Sequence, residues 1–292
     1  MGKNIIAVVF DFDITLSPYY QQKELLAHWG EDEDKFWQKC TSKVIDEDYD
    51  LEHGYIKVIL EYIDKNPNYA ISNQDLYNIG KNIQLYDGLS KRNNQNSIFD
   101  DIDKIIKTDI YKELNIEVEY YIISGGLAQM IKGALHSNQI EHYLKKIFAC
   151  SLDENSKGII NFPKETVGHT IKTQKLFQIS KGLNKQVNDK IDTPRIPFEN
   201  FIYLGDGETD IPAFSLINQM GGTSIAVYRE SKNSDGTINE EKTKQTYKKS
   251  YTFAIKSQRA KQLLPANYSD AKPLKIALLN YIEMLCDKFK NR

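Results

Sequence analysis

Two aspartates separated by a single residue, Asp11 and Asp13, directly follow an apolar run at Ile5–Phe10. Alternate residues of a strand face the same way, so both carboxylates would project into one crevice. Close carboxylates repel each other unless a cation or a shared proton compensates, and Mg²⁺ is the natural cation for an all-oxygen site. A carboxylate is already ionised at neutral pH and can attack an electrophile without a base. Taken alone, the pair could equally be a polar turn after a strand.

A second acidic motif, Gly205-Asp206-Gly207-Glu208-Thr209-Asp210, follows the apolar run Phe201–Leu204. Acids grouped at the end of a buried strand favour a hard cation. Taken alone, this motif could also be a solvated loop.

A third motif, Ser124-Gly125-Gly126, ends the run Val118–Ser124 and precedes a helical pattern. Glycines let the backbone approach a ligand, and the free N–H groups of a helix N-terminus bind anions. The serine adds a hydroxyl donor. By itself the motif is also typical of an ordinary strand–turn–helix corner.

The elements that position these motifs alternate between strand and helix patterns. Five short apolar runs predict buried strands: Ile5–Phe10, Val118–Ser124, Ile147–Cys150, Phe201–Leu204 and Ser224–Val227. Helical spacing of apolar residues between them predicts an α/β fold with a parallel sheet. Such sheets bind ligands at the carboxyl ends of their strands, where all three motifs fall.

The segment between the first two strands has a different character, with helical patterns and no strand pattern. The predicted helices are Tyr20–Trp29, Phe36–Ile45, Tyr55–Ile63, Gln74–Leu85 and Ile98–Leu114. We therefore predict an α/β core formed by residues 1–16 and 116–292, interrupted by an all-helical domain at residues 17–115. Polar stretches at 184–197 and 229–249 predict surface loops, and Leu274–Phe289 predicts a C-terminal helix.

The order of the motifs resembles the haloacid dehalogenase superfamily of phosphatases. A DxDxT motif at the end of the first predicted strand is followed by a serine at the end of the second, then by a helix that carries a lysine, and then by a GDGxTD motif. The helical insert resembles the cap of the phosphoserine-phosphatase-like branch. The resemblance implies a Rossmann-like parallel-sheet core with an inserted helical cap, and a phosphate ester as the substrate.

The resemblance also implies roles for the four motif aspartates. Asp11 would attack phosphorus and become an aspartyl phosphate, while Asp13 would protonate the leaving alcohol and later deprotonate water. Mg²⁺ would be bound by Asp11, Asp206 and the backbone carbonyl of Asp13. Asp210 would lie in the outer shell of the metal or hold a lysine.

Phosphoryl oxygens would be bound, on the same resemblance, by Ser124, the Gly125 amide and a lysine. Lys172 is favoured as that lysine, because Leu176 and Ile179 follow it four and seven residues later, which is the spacing of one face of a helix. Lys175 is the alternative.

One position departs from the phosphoserine phosphatases, in which a glutamate shortly after the first motif helps to select the substrate amine. Tyr20 stands there instead, so phosphoserine is a doubtful substrate. The tyrosine could stack on a substrate or pack the hinge of the cap. No role is expected for four other residues of the helical segment: His28, Trp29, Trp37 and Arg92.

Composition excludes several other classes of function. A net charge of −2 shows no basic excess for nucleic acid, and no stretch reaches the ~18 apolar residues of a membrane span. Three cysteines without a CxxC pair argue against disulfides or zinc and for a cytoplasmic protein. We expect a Mg²⁺-dependent hydrolase acting on a small phosphorylated metabolite. A phosphomutase or phosphotransferase with the same Asp11 intermediate, or a binding protein that kept the fold, are the alternatives.

Overall fold

A seven-stranded sheet forms the centre of the protein in the computed structural model, which describes residues 3–90, 96–233 and 235–291. The strands are β1 (Asn4–Phe10), β2 (Ile116–Leu127), β3 (Leu144–Glu154), β4 (Ile160–Glu165), β5 (Phe201–Gly205), β6 (Thr223–Tyr228) and β7 (Gln262–Pro265). Their order is β4-β3-β2-β1-β5-β6-β7, and only the β3–β4 pair is antiparallel. The predicted α/β fold with a parallel sheet is confirmed.

All five predicted strands are present, and the structure adds the two edge strands β4 and β7. Inner strands are covered on both faces, so they have the continuous apolar runs that the sequence shows. The edge strands lack such runs: β4 exposes 64% of Phe162, and every residue of β7 is only half-buried. This difference explains why the apolar pattern did not indicate them.

In the described part of residues 17–115, five α-helices lie between β1 and β2, and no strand of the sheet occurs there. They are α1 (Gln22–Trp29), α2 (Glu33–Asp46), α3 (Leu51–Lys65), α4 (Asn73–Gly80) and α5 (Ile98–Ile106). The last two are shorter than predicted. Each begins at a serine that forms a reciprocal capping box, Ser72 with Asp75 and Ser97 with Asp100.

Helix α4 lies tightly against α6 (Ala128–Ser137), the helix that follows β2. A Cβ on Gly80 would meet the Met130 carbonyl oxygen at 2.2 Å, and one on Gly133 would meet that of Tyr77 at 2.0 Å. Glycine is therefore required at both positions. The domain boundaries at residues 17 and 115 stay a prediction.

The remaining α-helices of the described residues are α7 (His169–Lys181), α8 (Ile211–Gln219), α9 (Glu240–Ser250) and α10 (Pro273–Lys290), and a π-helix at Tyr251–Lys256 follows α9. Helix α10 confirms the predicted C-terminal helix. The prediction of a loop over 229–249 is wrong from residue 240 onward, where α9 begins. This helix has no apolar stripe, and its start depends on Asn239, whose side chain accepts a hydrogen bond from the Lys242 amide. Among the described residues, no helix is both long and apolar enough to cross a membrane.

Candidate active site

Asp11 lies at the carboxyl end of the central strand β1 and is only 6% exposed. Its amide donates to the Leu204 carbonyl at 2.8 Å, which continues the pairing of β1 with β5. Its Oδ1 accepts from the Phe12 amide at 2.7 Å, and its Oδ2 lies 3.2 Å from Lys172 Nζ. The carboxylate is therefore held in a single orientation beside a cation.

Asp13 faces the same crevice but has different partners. Its Oδ1 accepts from the Gln21 amide at 2.9 Å and its Oδ2 from Gln21 Nε2 at 3.2 Å. Oε1 of the same glutamine accepts from the Leu127 amide at 2.9 Å, so Gln21 links the first motif to the end of β2. Ile14 has a φ of 60°, which is strained for a β-branched residue and turns the chain sharply after Asp13.

Lys172 is fully buried in α7 and points into the cluster, where its Nζ donates to Asp210 Oδ1 at 2.6 Å. Asp210 is also buried and accepts from Tyr203 Oη at 2.6 Å and from the Gly207 amide at 3.1 Å. Lys175 instead pairs with Glu165 at 2.6 Å, away from the motif aspartates. Of the two candidate lysines, Lys172 is the one the fold brings to Asp11.

Asp206 completes a cluster of three acids. One carboxylate oxygen from each of Asp11, Asp206 and Asp210 lies within 4.8 Å of the others. Among the described residues only Lys172 forms an ion pair with this cluster, so negative charge is in excess. An all-carboxylate set with uncompensated charge fits a hard divalent cation such as Mg²⁺.

The pKa values of these acids reflect their burial and the same excess of negative charge. Burial raises the pKa of Asp11 to about 6 even though Lys172 lowers it. Burial and then the neighbouring Asp11 raise the pKa of Asp13 to about 7. Burial, Asp11 and Asp210 raise the pKa of Asp206 well above its usual value. Burial alone would lower the pKa of Lys172, but Asp11 and Asp210 outweigh it and raise that pKa.

The serine–glycine motif lies beside the first motif, as the last residues of β2 rather than as the first turn of α6. Ser124 is buried, and its Oγ accepts from the Gly126 amide at 3.1 Å. A Cβ on Gly126 would lie 1.7 Å from Gln21 Nε2, so only glycine allows Gln21 to reach Asp13.

Two residues of α3 contact the serine–glycine motif. Tyr55 Oη donates to the Gly125 carbonyl at 2.8 Å, and that carbonyl also accepts from Cys150 Sγ at 3.2 Å. Glu52 is 5% exposed and lies against Gly125 and Gly168. All three cysteines are free and buried.

Tyr20 lies at the rim of the cleft and packs on Trp37, with ring centroids 5.3 Å apart. The residue is 45% exposed, yet burial of its hydroxyl and the nearby Asp206 and Asp13 raise its pKa. Trp37, for which no role in substrate binding was expected, therefore packs against a ring whose hydroxyl lies near the carboxylates. Arg92 lies outside the described residues.

Sequence reasoning missed Gln21, Glu52, Tyr55 and Tyr203. Each is a common residue type without a motif. Only Tyr203 could have been found from the sequence pattern. Side chains alternate along a strand, so Tyr203 faces the same way as Gly205 in β5, toward the second acidic motif.

The fold and its insert match known structures. A substrate-bound phosphoserine phosphatase is 16% identical, with a TM-score of 0.53, over 95% of this chain and 98% of that one. A hydrolase from Salmonella enterica serovar Typhi, described as belonging to the haloacid dehalogenase family, is 19% identical with a TM-score of 0.50. The match covers 78% of this chain, which spans 63% of the length of that hydrolase.

This is the haloacid dehalogenase fold. The helical region between β1 and β2 is consistent with the cap of that fold, and the resemblance noted in the motifs is confirmed at the level of the fold. In sequence, an uncharacterized protein of Borreliella burgdorferi is 29% identical, in an alignment covering 75% of this chain and 80% of that protein. No family model matches the chain.

Proposed function

We propose that the protein is a Mg²⁺-dependent phosphomonoester hydrolase that forms an aspartyl phosphate on Asp11. Its substrate would be a small phosphorylated metabolite. One observation carries the proposal: two carboxylates of the same motif have different environments. Asp11 Oδ2 lies 3.2 Å from a lysine cation, whereas both oxygens of Asp13 accept hydrogen bonds from Gln21. Different environments give two acids different roles.

The metal would be held by Asp11, Asp206 and the backbone carbonyl of Asp13. Asp210 would act from the outer shell, because its carboxylate already binds Lys172, Tyr203 and the Gly207 amide. When bound, Mg²⁺ supplies neutralisation of the negative charge on the phosphoryl oxygens during transfer.

The phosphoryl group would be held by Ser124, the Gly125 amide and Lys172. These groups lie on two elements, Ser124 and Gly125 on β2 and Lys172 on α7. Fixed donors in a buried site stabilise the charge of the transition state without reorganising during the reaction. Asp210 and Tyr203 would keep Lys172 in place.

In the first step Asp11 Oδ attacks phosphorus, and the bond from phosphorus to the ester oxygen breaks. Asp13 donates its proton to the departing oxygen, so the alcohol leaves neutral. A pKa of about 7 keeps a large fraction of Asp13 protonated at neutral pH. In the second step a water gives a proton to Asp13 and attacks phosphorus. Phosphate then leaves, and Asp11 and protonated Asp13 are restored.

We further propose that residues 17–115 act as the cap that closes over the bound ester. Closure would exclude bulk water from the phosphoryl group, which strengthens the electrostatic interactions in the site. Tyr20, at the start of this segment and beside the carboxylates, is the proposed specificity residue.

The test is hydrolysis of p-nitrophenyl phosphate with Mg²⁺, before and after chelation by EDTA. We expect activity to vanish in EDTA and to return with Mg²⁺, whereas Ca²⁺ should restore little because its coordination is looser. Release of inorganic phosphate in the presence of added sugars or alcohols would separate hydrolysis from transfer to an acceptor. Full activity after exhaustive chelation would contradict the metal-dependent mechanism.

A further inference from the structure

Arg229 is a cation at the rim of the cleft that the proposed reaction does not use. It is the first residue after β6, which pairs in parallel with β5, so it lies at the sheet edge where Asp206 follows β5. Its side chain crosses to the segment after the first motif, where Nη1 donates to the Pro18 carbonyl at 3.3 Å. Arg229 therefore lies beside the loops that carry the carboxylates.

No acid of the described residues forms an ion pair with Arg229. The residue is half-buried, and the hydrogen bond to the neutral Pro18 carbonyl is its only polar contact within the described part of the chain. Arg195 differs, because its guanidinium donates to both oxygens of Glu119, at 2.8 and 2.5 Å. Most N–H groups of Arg229 are therefore left without an acceptor on the described residues.

Two tyrosine hydroxyls lie near the same guanidinium. The Tyr86 amide donates to the Leu16 carbonyl at 2.9 Å, while its hydroxyl is buried and has no hydrogen-bond partner among the described residues. Burial raises the pKa of Tyr86 and of Tyr20, with smaller effects from Arg229, which lowers both, and from Asp206, which raises both. Both hydroxyls are therefore protonated donors at neutral pH, and both lie between a cation and the second acidic motif.

A purely structural role does not explain these groups together. One hydrogen bond to the Pro18 carbonyl needs no positive charge, so a neutral donor at position 229 would join the two loops as well. A buried hydroxyl without a partner lowers stability, and phenylalanine at position 86 would avoid that cost. Both features are explained if an anionic ligand accepts hydrogen bonds from Arg229 and Tyr86.

We propose that Arg229, Tyr86 and Tyr20 bind a second phosphate group on the leaving alcohol, so that the substrate is a bisphosphate ester. Three separate donor groups match the three free oxygens of a phosphate, whereas a carboxylate offers two oxygens in one plane. Arginine also binds phosphate through two parallel N–H groups. This inference rests on the proposed function and names the substrate class of that site.

The test compares three series of phosphate esters that differ only at the far end of the carbon chain. The far end is a second phosphate, a carboxylate or a methyl group, and each series covers several chain lengths. At the best length we expect wild-type kcat/KM to favour the bisphosphate over the alkyl phosphate by about 10-fold or more, the value of one charge-assisted hydrogen bond. The carboxylate ester should fall between the two.

Arg229→Gln should bring the ratio of bisphosphate to alkyl phosphate close to one. The matched control is Arg259→Gln, which removes the same charge from the same connection between β6 and β7. Arg259 is exposed, lies before β7 at the opposite edge of the sheet, and donates to Ser215 Oγ at 3.0 Å. This control should leave the ratio unchanged.

Tyr86→Phe keeps the ring and removes only the hydroxyl, which makes it the second variant if Arg229→Gln does not fold. We expect the preference for the bisphosphate to fall by about 3-fold or more. Urea unfolding should show no loss of stability, because the hydroxyl has no partner among the described residues. A structural hydroxyl would give the opposite pattern, with stability lost and the preference kept.

Three results would overturn the proposal. The first is a wild-type ratio near one at every chain length. The second is a preference for the carboxylate ester over the bisphosphate, which would make this a carboxylate site. The third is an unchanged ratio in folded Arg229→Gln protein.

Binding separates this inference from the proposed hydrolysis. Titration calorimetry with Asp11→Asn protein should show tighter binding of the bisphosphate than of the alkyl phosphate, again by about 10-fold. A binding preference without turnover by the wild type would refute hydrolysis and keep the second phosphate site. Turnover without any preference for the bisphosphate would do the reverse.

Discussion

Two clusters that contain buried acids lie at the same sheet and differ in how their charge is balanced. The first, which we call the catalytic cluster after the role proposed for it, consists of Asp11, Asp13, Lys172, Asp206 and Asp210. The second, which we call the Glu119 cluster, consists of Glu119, Tyr121, Lys145 and Arg195. In the catalytic cluster, acids outnumber the single lysine. In the Glu119 cluster, one acid that is 3% exposed has several donors.

The pKa values move in opposite directions in the two clusters. Burial raises the pKa of Glu119, but hydrogen bonds from Arg195, Tyr121 and Lys145 outweigh it and lower that pKa to about 2. Burial raises the pKa values of Asp11 and Asp13, and the donors around them are too few to offset it. A buried acid with a full set of donors stabilises the fold, whereas buried acids in excess are available for a metal and for proton transfer.

The largest expected effect comes from Asp11→Asn, which removes the attacking oxygen anion from the catalytic cluster. Phosphatase activity should fall by at least about 10⁴-fold, because no phosphoenzyme can form. The free energy of unfolding should change by less than about 1 kcal/mol, since a repulsive acid is replaced by a neutral amide. Steady-state kinetics and urea unfolding measure the two quantities. A large loss of stability with activity retained would reverse our assignment of this cluster.

Asp13→Asn should have the next largest effect, about 10²–10⁴-fold on alkyl phosphates, the usual value of general acid–base catalysis. An aryl ester such as p-nitrophenyl phosphate needs the proton less and should lose less activity. The aspartyl phosphate should persist in this variant, because water is no longer activated. Acid quench followed by mass spectrometry locates the phosphate. Its presence on Asp13 of the wild-type protein, or on a serine or histidine, would refute the proposed roles.

Glu119→Gln should show the opposite behaviour, with activity unchanged and the free energy of unfolding reduced by about 2 kcal/mol at pH 7. A depressed pKa contributes stability that is present above the unfolded value of about 4.5 and is lost as pH falls toward about 2. The difference between wild type and variant should therefore shrink over that pH window. Urea unfolding at pH 7 and pH 3 measures it. An equal difference at both pH values would contradict the electrostatic explanation.

The smallest expected effect is that of Tyr20→Leu, which removes the ring that packs on Trp37 at the rim of the catalytic cluster. The ranking of substrates in a panel of phosphorylated metabolites should change by about 3–10-fold, the range of one modest contact. Equal changes in kcat/KM for every ester would indicate that the tyrosine only packs the hinge.

The sequence by itself determined the parallel sheet, the five buried strands and the positions of Asp11, Ser124 and Asp206 at strand ends. These follow from local patterns, because a strand buried on both faces needs a continuous apolar run and the residues after it reach the edge where ligands bind. Local patterns did not predict β4, β7 and α9. These elements are so exposed that they fold with little apolar periodicity in their sequences.

Only the tertiary structure decided which side chains complete the site. The helical repeat favoured Lys172 over Lys175, but only the packing of α7 shows that one reaches Asp11 and the other Glu165. Gln21 and Glu52 come from segments distant in sequence from the end of β2, which they contact at Leu127 and Gly125. Periodicity specifies which face of an element is buried, whereas the partner across an interface depends on how two elements pack, which no local pattern records.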